Sequence, residues 1–138
     1  MGLPILTTKR LPTDWATTFT RHFESAYEGR LTQHARDALH EGRLNAFYVA
    51  YFSGLPVGFT AVYVIGEEKL GITVVLPDFR GKGIGTKLMK RRVKEVAGVL
   101  SKVSTQNEPS IKLCEAVGLR RSARVYTTIR GIQGVVFE

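Results

Sequence analysis

Hydrophobic and polar positions along this chain change period several times, and each change marks an element. Residues 3–8 are short, apolar and threonine-containing, which suits an edge strand. Pro12 opens a polar stretch in which Thr13 or Asp14 can cap a helix. Trp15, Phe19, Phe23 and Tyr27 then recur at every fourth position, so a helix would carry them as one aromatic stripe. Such a stripe suits a core or a groove better than a stacking surface for nucleic acid. Gly29 ends this helix. A second is expected from about Leu31 to His40, with Leu31, Ala35, Ala38 and Leu39 on its apolar side and Gly42 as its stop.

From Leu44 the pattern becomes that of strands. Asn45–Phe52, Val57–Ile65 and Lys69–Leu76 are aromatic and β-branched runs separated by the turns Ser53-Gly54-Leu55-Pro56 and Gly66-Glu67-Glu68. Short turns make the three strands antiparallel neighbours. After Gly85 an amphipathic helical pattern returns and continues to about Val99. Leu100–Thr105 is the next strand, and a link through a helix should make it parallel to the third. Gln106-Asn107-Glu108-Pro109 starts a short helix, Ser110 to Val117, closed by Gly118. Arg124–Ile129 and Ile132–Phe137 read as a hairpin around Gly131. With no repeat and no linker, residues 1–138 read as a single α/β domain.

Composition narrows the function classes. No apolar run approaches the ~20 residues of a membrane-spanning helix, and the first residues do not resemble a signal peptide. The single cysteine excludes an internal disulfide and suits a reducing compartment, so a cytoplasmic protein without a membrane partner is expected. His22, His34 and His40 lack the spacing of a helical metal pair, so no metal site is expected. The net charge of +8 suits an anionic partner: nucleic acid, a membrane surface or a phosphate-rich cofactor. Lys82, Lys87, Lys90, Arg91, Arg92 and Lys94 cluster on and before one helix. They are either a solvated helix face or charge for a bound phosphate.

The chemistry concentrates where the third strand meets that helix. Val74-Val75-Leu76-Pro77-Asp78-Phe79 leads into Arg80-Gly81-Lys82-Gly83-Ile84-Gly85-Thr86. A first helical turn has unpaired N–H groups and the positive end of the helix dipole, and glycines let an anion approach the backbone. Strand, glycine turn and helix N-terminus together can cradle a pyrophosphate; a plain tight turn is the alternative. The P-loop spacing is absent, and no acidic residue between Gly98 and Lys102 completes a dinucleotide fingerprint.

This stretch resembles the acyl-CoA-binding segment of the GCN5-related N-acetyltransferase (GNAT) superfamily, Arg/Gln-x-x-Gly-x-Gly/Ala, with Arg80, Gly83 and Gly85 in register. The order of elements is similar to that of the family along essentially the whole chain. The resemblance implies a GNAT fold: a mixed, mostly antiparallel central sheet with a splayed parallel pair and flanking helices. The gap between the splayed strands would admit the pantetheine arm of acetyl-CoA as an added strand. The segment Asn107-Glu108-Pro109-Ser110-Ile111-Lys112-Leu113-Cys114-Glu115-Ala116-Val117-Gly118-Leu119 is similar to a second family motif, with Asn107, Ser110, Leu113 and Gly118 in register. By resemblance, backbone N–H groups of Thr73, Val74 and Val75 hold the cofactor arm and polarise the thioester. Arg80 to Thr86 hold the pyrophosphate, and Asn107 and Ser110 lie near the pantetheine. Asn107 can equally be a helix cap.

The implied reaction is transfer of an acetyl group from acetyl-CoA to a primary amine by direct attack on the thioester. The sequence departs from the family where many members carry the tyrosine that protonates the leaving thiolate, for Cys114 stands there. Cys114 is a replacement acid, a covalent acyl carrier or a small buried apolar residue. Tyr126 is a substitute donor if the last hairpin brings it near. Glu68, with Glu67, could act as a base through water. The amine acceptor is open: small molecule, peptide or protein. Rival readings are a GNAT-fold protein that binds acyl-CoA without catalysis, and a basic nucleic-acid-binding domain. The apolar last strand, ending Val135-Val136-Phe137, could pair with a second copy as a homodimer.

Overall fold

The computed structural model describes residues 5–27, 31–127 and 131–138. Among them the strands are β1 (Leu6–Arg10), β2 (Ala46–Phe52), β3 (Leu55–Ile65), β4 (Glu68–Val75), β5 (Val99–Ser104), β6 (Arg121–Thr127) and β7 (Gln133–Phe137). The α-helices are α1 (Ala16–Tyr27), α2 (Gln33–His40), α3 (Ile84–Glu95) and α4 (Glu108–Ala116). The strands form one sheet in the order β1-β2-β3-β4-β5-β7-β6. β1 to β4 are antiparallel neighbours, β4 and β5 are parallel, and β5, β7 and β6 are antiparallel again. This is the α/β, mostly antiparallel architecture with a parallel central pair that the sequence implied.

The parallel pair is short. Lys69 faces Val99 and Leu70 faces Leu100, and there the pairing stops. β5 pairs with β7 from Ser101 to Ser104, while β4 continues to Val75 alongside β3. The two strands therefore fork, and among the described residues β4 has no strand partner on its β5 side from Gly71 to Val75.

Alternation along the strands divides the core into two faces. Phe47, Val49, Phe59, Ala61, Leu70, Ile72 and Val74 pack with Phe23 and Tyr27 of α1 and Ala35, Ala38 and Leu39 of α2. Ala46, Tyr48, Ala50 and Val62 pack with Ile84 and Leu88 of α3 on the other face. α3 comes close because β3 has Gly58 beneath it: a Cβ there would lie 3.3 Å from both Ile84 Cγ2 and Leu88 Cδ1. A smaller core of Met89, Val103, Cys114, Val135 and Phe137 joins α3, α4, β5 and β7.

Several boundaries differ from the expected ones. A short 3-10 turn, Thr13–Trp15, precedes α1, so neither Thr13 nor Asp14 caps it with a side chain. That turn also throws Trp15 out of the aromatic stripe, leaving it half exposed while Phe23 and Tyr27 are buried. α3 ends at Glu95 rather than near Val99, because Val96 is already extended (φ −127°, ψ 114°) and Gly98 turns the chain at φ +74°. α4 begins at Glu108, two residues earlier than expected. β6 begins at Arg121 and carries an irregularity between Arg121 and Val125. β7 lies between β5 and β6 with both edges paired, so it offers no edge to a second copy. The expected helix stop at Gly29 and the hairpin tip at 128–130 lie outside the described residues, as do residues 3 and 4 of the expected first strand.

Candidate active site

The site begins at the mouth of the fork. β4 ends at Val75, a 3-10 turn at Pro77–Phe79 follows, and the chain reaches α3 through Arg80, Gly81, Lys82 and Gly83. Gly81 and Gly83 have φ of +77° and +79°, a region that side-chain-bearing residues reach only under strain. Gly83 is the N-cap of α3, and no side chain caps the helix. The first-turn N–H groups of Ile84, Gly85 and Thr86 thus lie at the positive end of the helix dipole with no side-chain cap among the described residues. A Cβ on Gly81 or Gly83 would find no atom within 4 Å, so the backbone there is open to a ligand. Gly85 has a different task. Its missing Cβ would sit 3.3 Å from Leu113 Cδ2, so it brings α4 against α3. Arg80 folds back, and its Nε donates to the Val75 carbonyl at 3.2 Å.

Thr73, Val74 and Val75 line the unpaired edge of β4, continuous with this cradle. An unpaired strand edge leading into an uncapped, glycine-rich helix N-terminus fits a phosphate-bearing chain that adds as a strand. Asn107 caps α4: its side-chain oxygen accepts from the Ser110 N–H at 3.3 Å, which uses both residues in the helix start.

The basic cluster divides. Lys82, Lys90 and Lys94 are exposed. Lys87 Nζ donates to the Leu6 carbonyl at 2.6 Å, and Arg91 Nη1 donates to the Thr8 carbonyl at 2.5 Å, so both tie β1 to α3. Arg92 is not on the surface at all, being only 1 % exposed. Ile84, Leu88, Met89 and Arg92 share the buried face of α3. The helical period alone could have shown this, since position 92 falls on the apolar stripe.

Arg92 reaches under the sheet where the strands part. Its Nη1 donates to Thr60 Oγ1 at 3.1 Å and to Thr73 Oγ1 at 3.4 Å, and its Nη2 donates to Ser101 Oγ at 3.1 Å. One guanidinium therefore binds hydroxyls on β3, β4 and β5. Among the described residues its Nε has no hydrogen-bond partner, and none of the ion pairs includes it. The room comes from Gly71, where a Cβ would lie 2.3 Å from Arg92 Nη1. Burial lowers the Arg92 pKa to about 10, which leaves it charged at neutral pH.

Cys114 lies beside this charge, 2 % exposed on α4. Burial pushes its thiol above the ordinary range; the Arg92 charge and a hydrogen bond with Ser101 pull it back, and Glu115 adds a smaller upward push. Tyr126 does not join it. Tyr126 pairs with Gly134, and its ring covers that glycine so closely that a Cβ would be 2.0 Å from Cζ. Gly134 pairs with Ser104 and alternates with Val135, whose side chain packs with Cys114. Tyr126 is thus on the opposite face of the sheet, with Lys102 Nζ 5.9 Å from its ring centroid. Glu68 is at the closed end of the fork, five residues or roughly 17 Å along β4 from Thr73. Arg124 Nη2 donates to both its oxygens at 3.1 Å and holds the carboxyl below its usual range. The structure brings neither Tyr126 nor Glu68 to Cys114.

His22 Nε2 donates to the Pro56 carbonyl at 2.9 Å, and His40 Nε2 is 3.1 Å from the Tyr27 hydroxyl. Among the described residues, no group of three His, Cys, Asp or Glu side chains could hold a metal ion, and no helix is long and apolar enough to cross a membrane.

Comparison with known proteins agrees with this geometry. No curated protein sequence matches the chain. Among solved structures, it is similar to the ribosomal-protein-S18-alanine N-acetyltransferase of Escherichia coli (21 % identity, TM-score 0.71, covering 96 % of this chain and 92 % of that one). It is similar to Salmonella typhimurium yncA, solved with its cofactor acetyl-CoA (17 %, TM-score 0.71, 96 % and 91 %). Arabidopsis thaliana NAA60, in complex with acetyl-CoA, is a third (15 %, TM-score 0.71, 96 % and 97 %). At these identities the likeness establishes the fold. Residues 43–121, more than half of the chain, match the profile of the acetyltransferase (GNAT) domain. The chain belongs to the GNAT acetyltransferase family.

Proposed function

We propose that this protein is an N-acetyltransferase that moves an acetyl group from acetyl-CoA to a primary amine. The observation that carries the reading is the fork: an unpaired β4 edge that runs straight into an uncapped, glycine-rich helix N-terminus. Backbone N–H groups of Ile84, Gly85 and Thr86 would receive the pyrophosphate, with Gly81 and Gly83 giving close approach and Lys82 adding charge. The free edge of Thr73, Val74 and Val75 would hold the pantetheine arm and polarise the acyl carbonyl. Asn107 and Ser110, at the start of α4, would lie near the pantetheine. Acetyl-CoA supplies the activated acetyl thioester.

Cys114 is our candidate for the acid. It sits behind the fork on Ser101, and burial keeps its proton on the sulfur at neutral pH. Tyr126 lies over Gly134 on the opposite face of the sheet and is no longer a candidate partner of Cys114. Glu68 is held ionised by Arg124, and a carboxylate with a lowered pKa is a weak base; we leave the amine's proton to water.

The burial of Cys114 also favours a second reading, binding of acyl-CoA without catalysis. The burial of Arg92 weakens the nucleic-acid reading, since that charge does not face a partner, while Lys87 and Arg91 are tied to β1. Thermal unfolding with and without acetyl-CoA is the test. At about 100 times its dissociation constant a ligand adds about 2.7 kcal/mol, several degrees for a domain of this size. Gly83→Trp, which fills the open approach to the helix, should abolish the shift. No shift in the wild type at millimolar acetyl-CoA overturns the reading. A shift without acetylation of a panel of amines selects the binding-only alternative.

A further inference from the structure

We propose that Arg92, acting through Ser101, is a positioning residue that holds a Cys114 thiolate behind the fork. The inference rests on Cys114 being the acid of the transfer proposed above.

The first support is the isolation of the charge. A guanidinium removed from water ordinarily faces a carboxylate, because a lone buried charge is costly. Arg92 is 1 % exposed and has three hydroxyl partners, an orphaned Nε and no acid among the described residues. The second is that the fold is built around it. Gly71 leaves the space its guanidinium occupies, and Thr60, Thr73 and Ser101 converge on it from three strands. The third is that the anion that would balance it is already beside it. Ser101 accepts from Arg92, and Cys114 packs with Met89 and Val103, one turn from Arg92 on α3 and two residues from Ser101 on β5; Cys114 is the one titratable group whose charge acts on Arg92.

The groups facing Cys114 are few. α3 offers Arg92 and the apolar Met89; β5 offers Ser101 and Val103; β7 offers Val135 and Phe137. On its own helix, Glu115 opposes ionisation. Arg92 is thus the one cation acting on the sulfur among the described residues.

With the thiol protonated, the pocket holds a net positive charge; with the thiolate formed, it is neutral. Cys114 Sγ can therefore give its proton to the departing sulfur, which keeps the electron pair of the broken C–S bond. The acceptor nitrogen, now bonded to the acetyl carbon, loses its proton to water, and Cys114 regains one from water. A thiol and a departing thiolate have similar proton affinity, and Arg92 acts against the burial that raises the Cys114 thiol.

The chain has a single cysteine, so its ultraviolet thiolate absorbance reports Cys114 alone once a Cys114→Ala blank is subtracted. Titration of the ligand-free protein should show Arg92→Met raising the midpoint by about one pH unit or more. Ser101→Ala should raise it less, and Arg92→Lys should keep it near wild type. A midpoint unmoved in folded Arg92→Met overturns the proposal. If Arg92→Met does not fold, Ser101→Ala decides: an upward shift supports the proposal and none overturns it. The acetyl-CoA thermal shift of the same proteins separates the two readings. A retained shift with an unmoved titration removes the Arg92 role alone. A moved titration without acetyl-CoA binding supports the Arg92–Cys114 pair and removes the transfer.

Discussion

The two faces of β4 are made of different material. Leu70, Ile72 and Val74 point into the large apolar core under α1 and α2. Gly71 and Thr73, one residue out of step, face α3 and receive the Arg92 guanidinium. One strand therefore serves stability on one side and carries an isolated charge on the other. The difference teaches where tolerance to change should lie. Large-to-small changes on the apolar face remove buried surface and leave a cavity. Changes on the α3 face alter electrostatics and fit around one side chain.

The strongest way to break this contrast is on the apolar face. Phe59, packed against Phe23, Tyr27 and Phe47, is its centre. Phe59→Ala should cost about 3–5 kcal/mol, measured by chemical denaturation, while the folded fraction still gains stability from acetyl-CoA. Loss of that gain would mean that the two faces are not separable. Next is Gly71→Val, whose side chain would overlap Arg92. It should cost about 1–3 kcal/mol, and Arg92→Ala in the same chain should recover part of it. A strictly additive double mutant would argue that Gly71 serves something other than Arg92.

A smaller effect, with the sign that sharpens the contrast most, is expected for Arg92→Met. Thr60 Oγ1 also bonds the Ile72 carbonyl at 2.9 Å and Thr73 Oγ1 at 2.9 Å, so the threonine hydroxyls keep partners without the guanidinium. Stability should stay level or rise by about 1–2 kcal/mol. A large loss would make Arg92 a structural strut. The smallest effect belongs to the exposed Glu68–Arg124 pair. Arg124 lowers the Glu68 pKa, so its stabilisation is full above the unfolded glutamate pKa and is lost as pH falls through the folded one. Glu68→Gln should remove that acid-side dependence, and added salt should mimic the change. An identical acid profile in the mutant would show that the pair contributes nothing.

Much of this was legible in the sequence where one residue type has one physical use. Positive-φ glycines at 81, 83 and 118 are needed for a cradle and a helix stop, and the aromatic and β-branched runs of β2 and β3 follow from a sheet covered on both faces. The end of α3 was misread because Val96-Ala97-Gly98-Val99 continues an apolar run. Gly98 carried the correct signal, and the extended Val96 settles it. β6 was started three residues late because its side chains are mostly exposed, Val125 at 75 %, and leave no alternating pattern. Arg92 was misread by type rather than by position. Charge suggested surface, whereas its place one helical repeat after Leu88 and Met89 pointed inward. What no local pattern carries is the face on which Tyr126 ends, which depends on β7 inserting between β5 and β6.

The hollow at Gly71 has a consequence for how such chains diverge. Any side chain at 71 collides while Arg92 is in place, and any smaller residue at 92 leaves a gap while 71 is glycine. Position 71 is thus not free to drift before position 92, so a bulkier residue at 71 should be found only where the arginine has gone. Related chains would then separate into two lineages: glycine with arginine, charged beneath the fork, and a bulkier residue with an apolar one, dry there. A reader of genomes could assign a new member to either lineage from two letters.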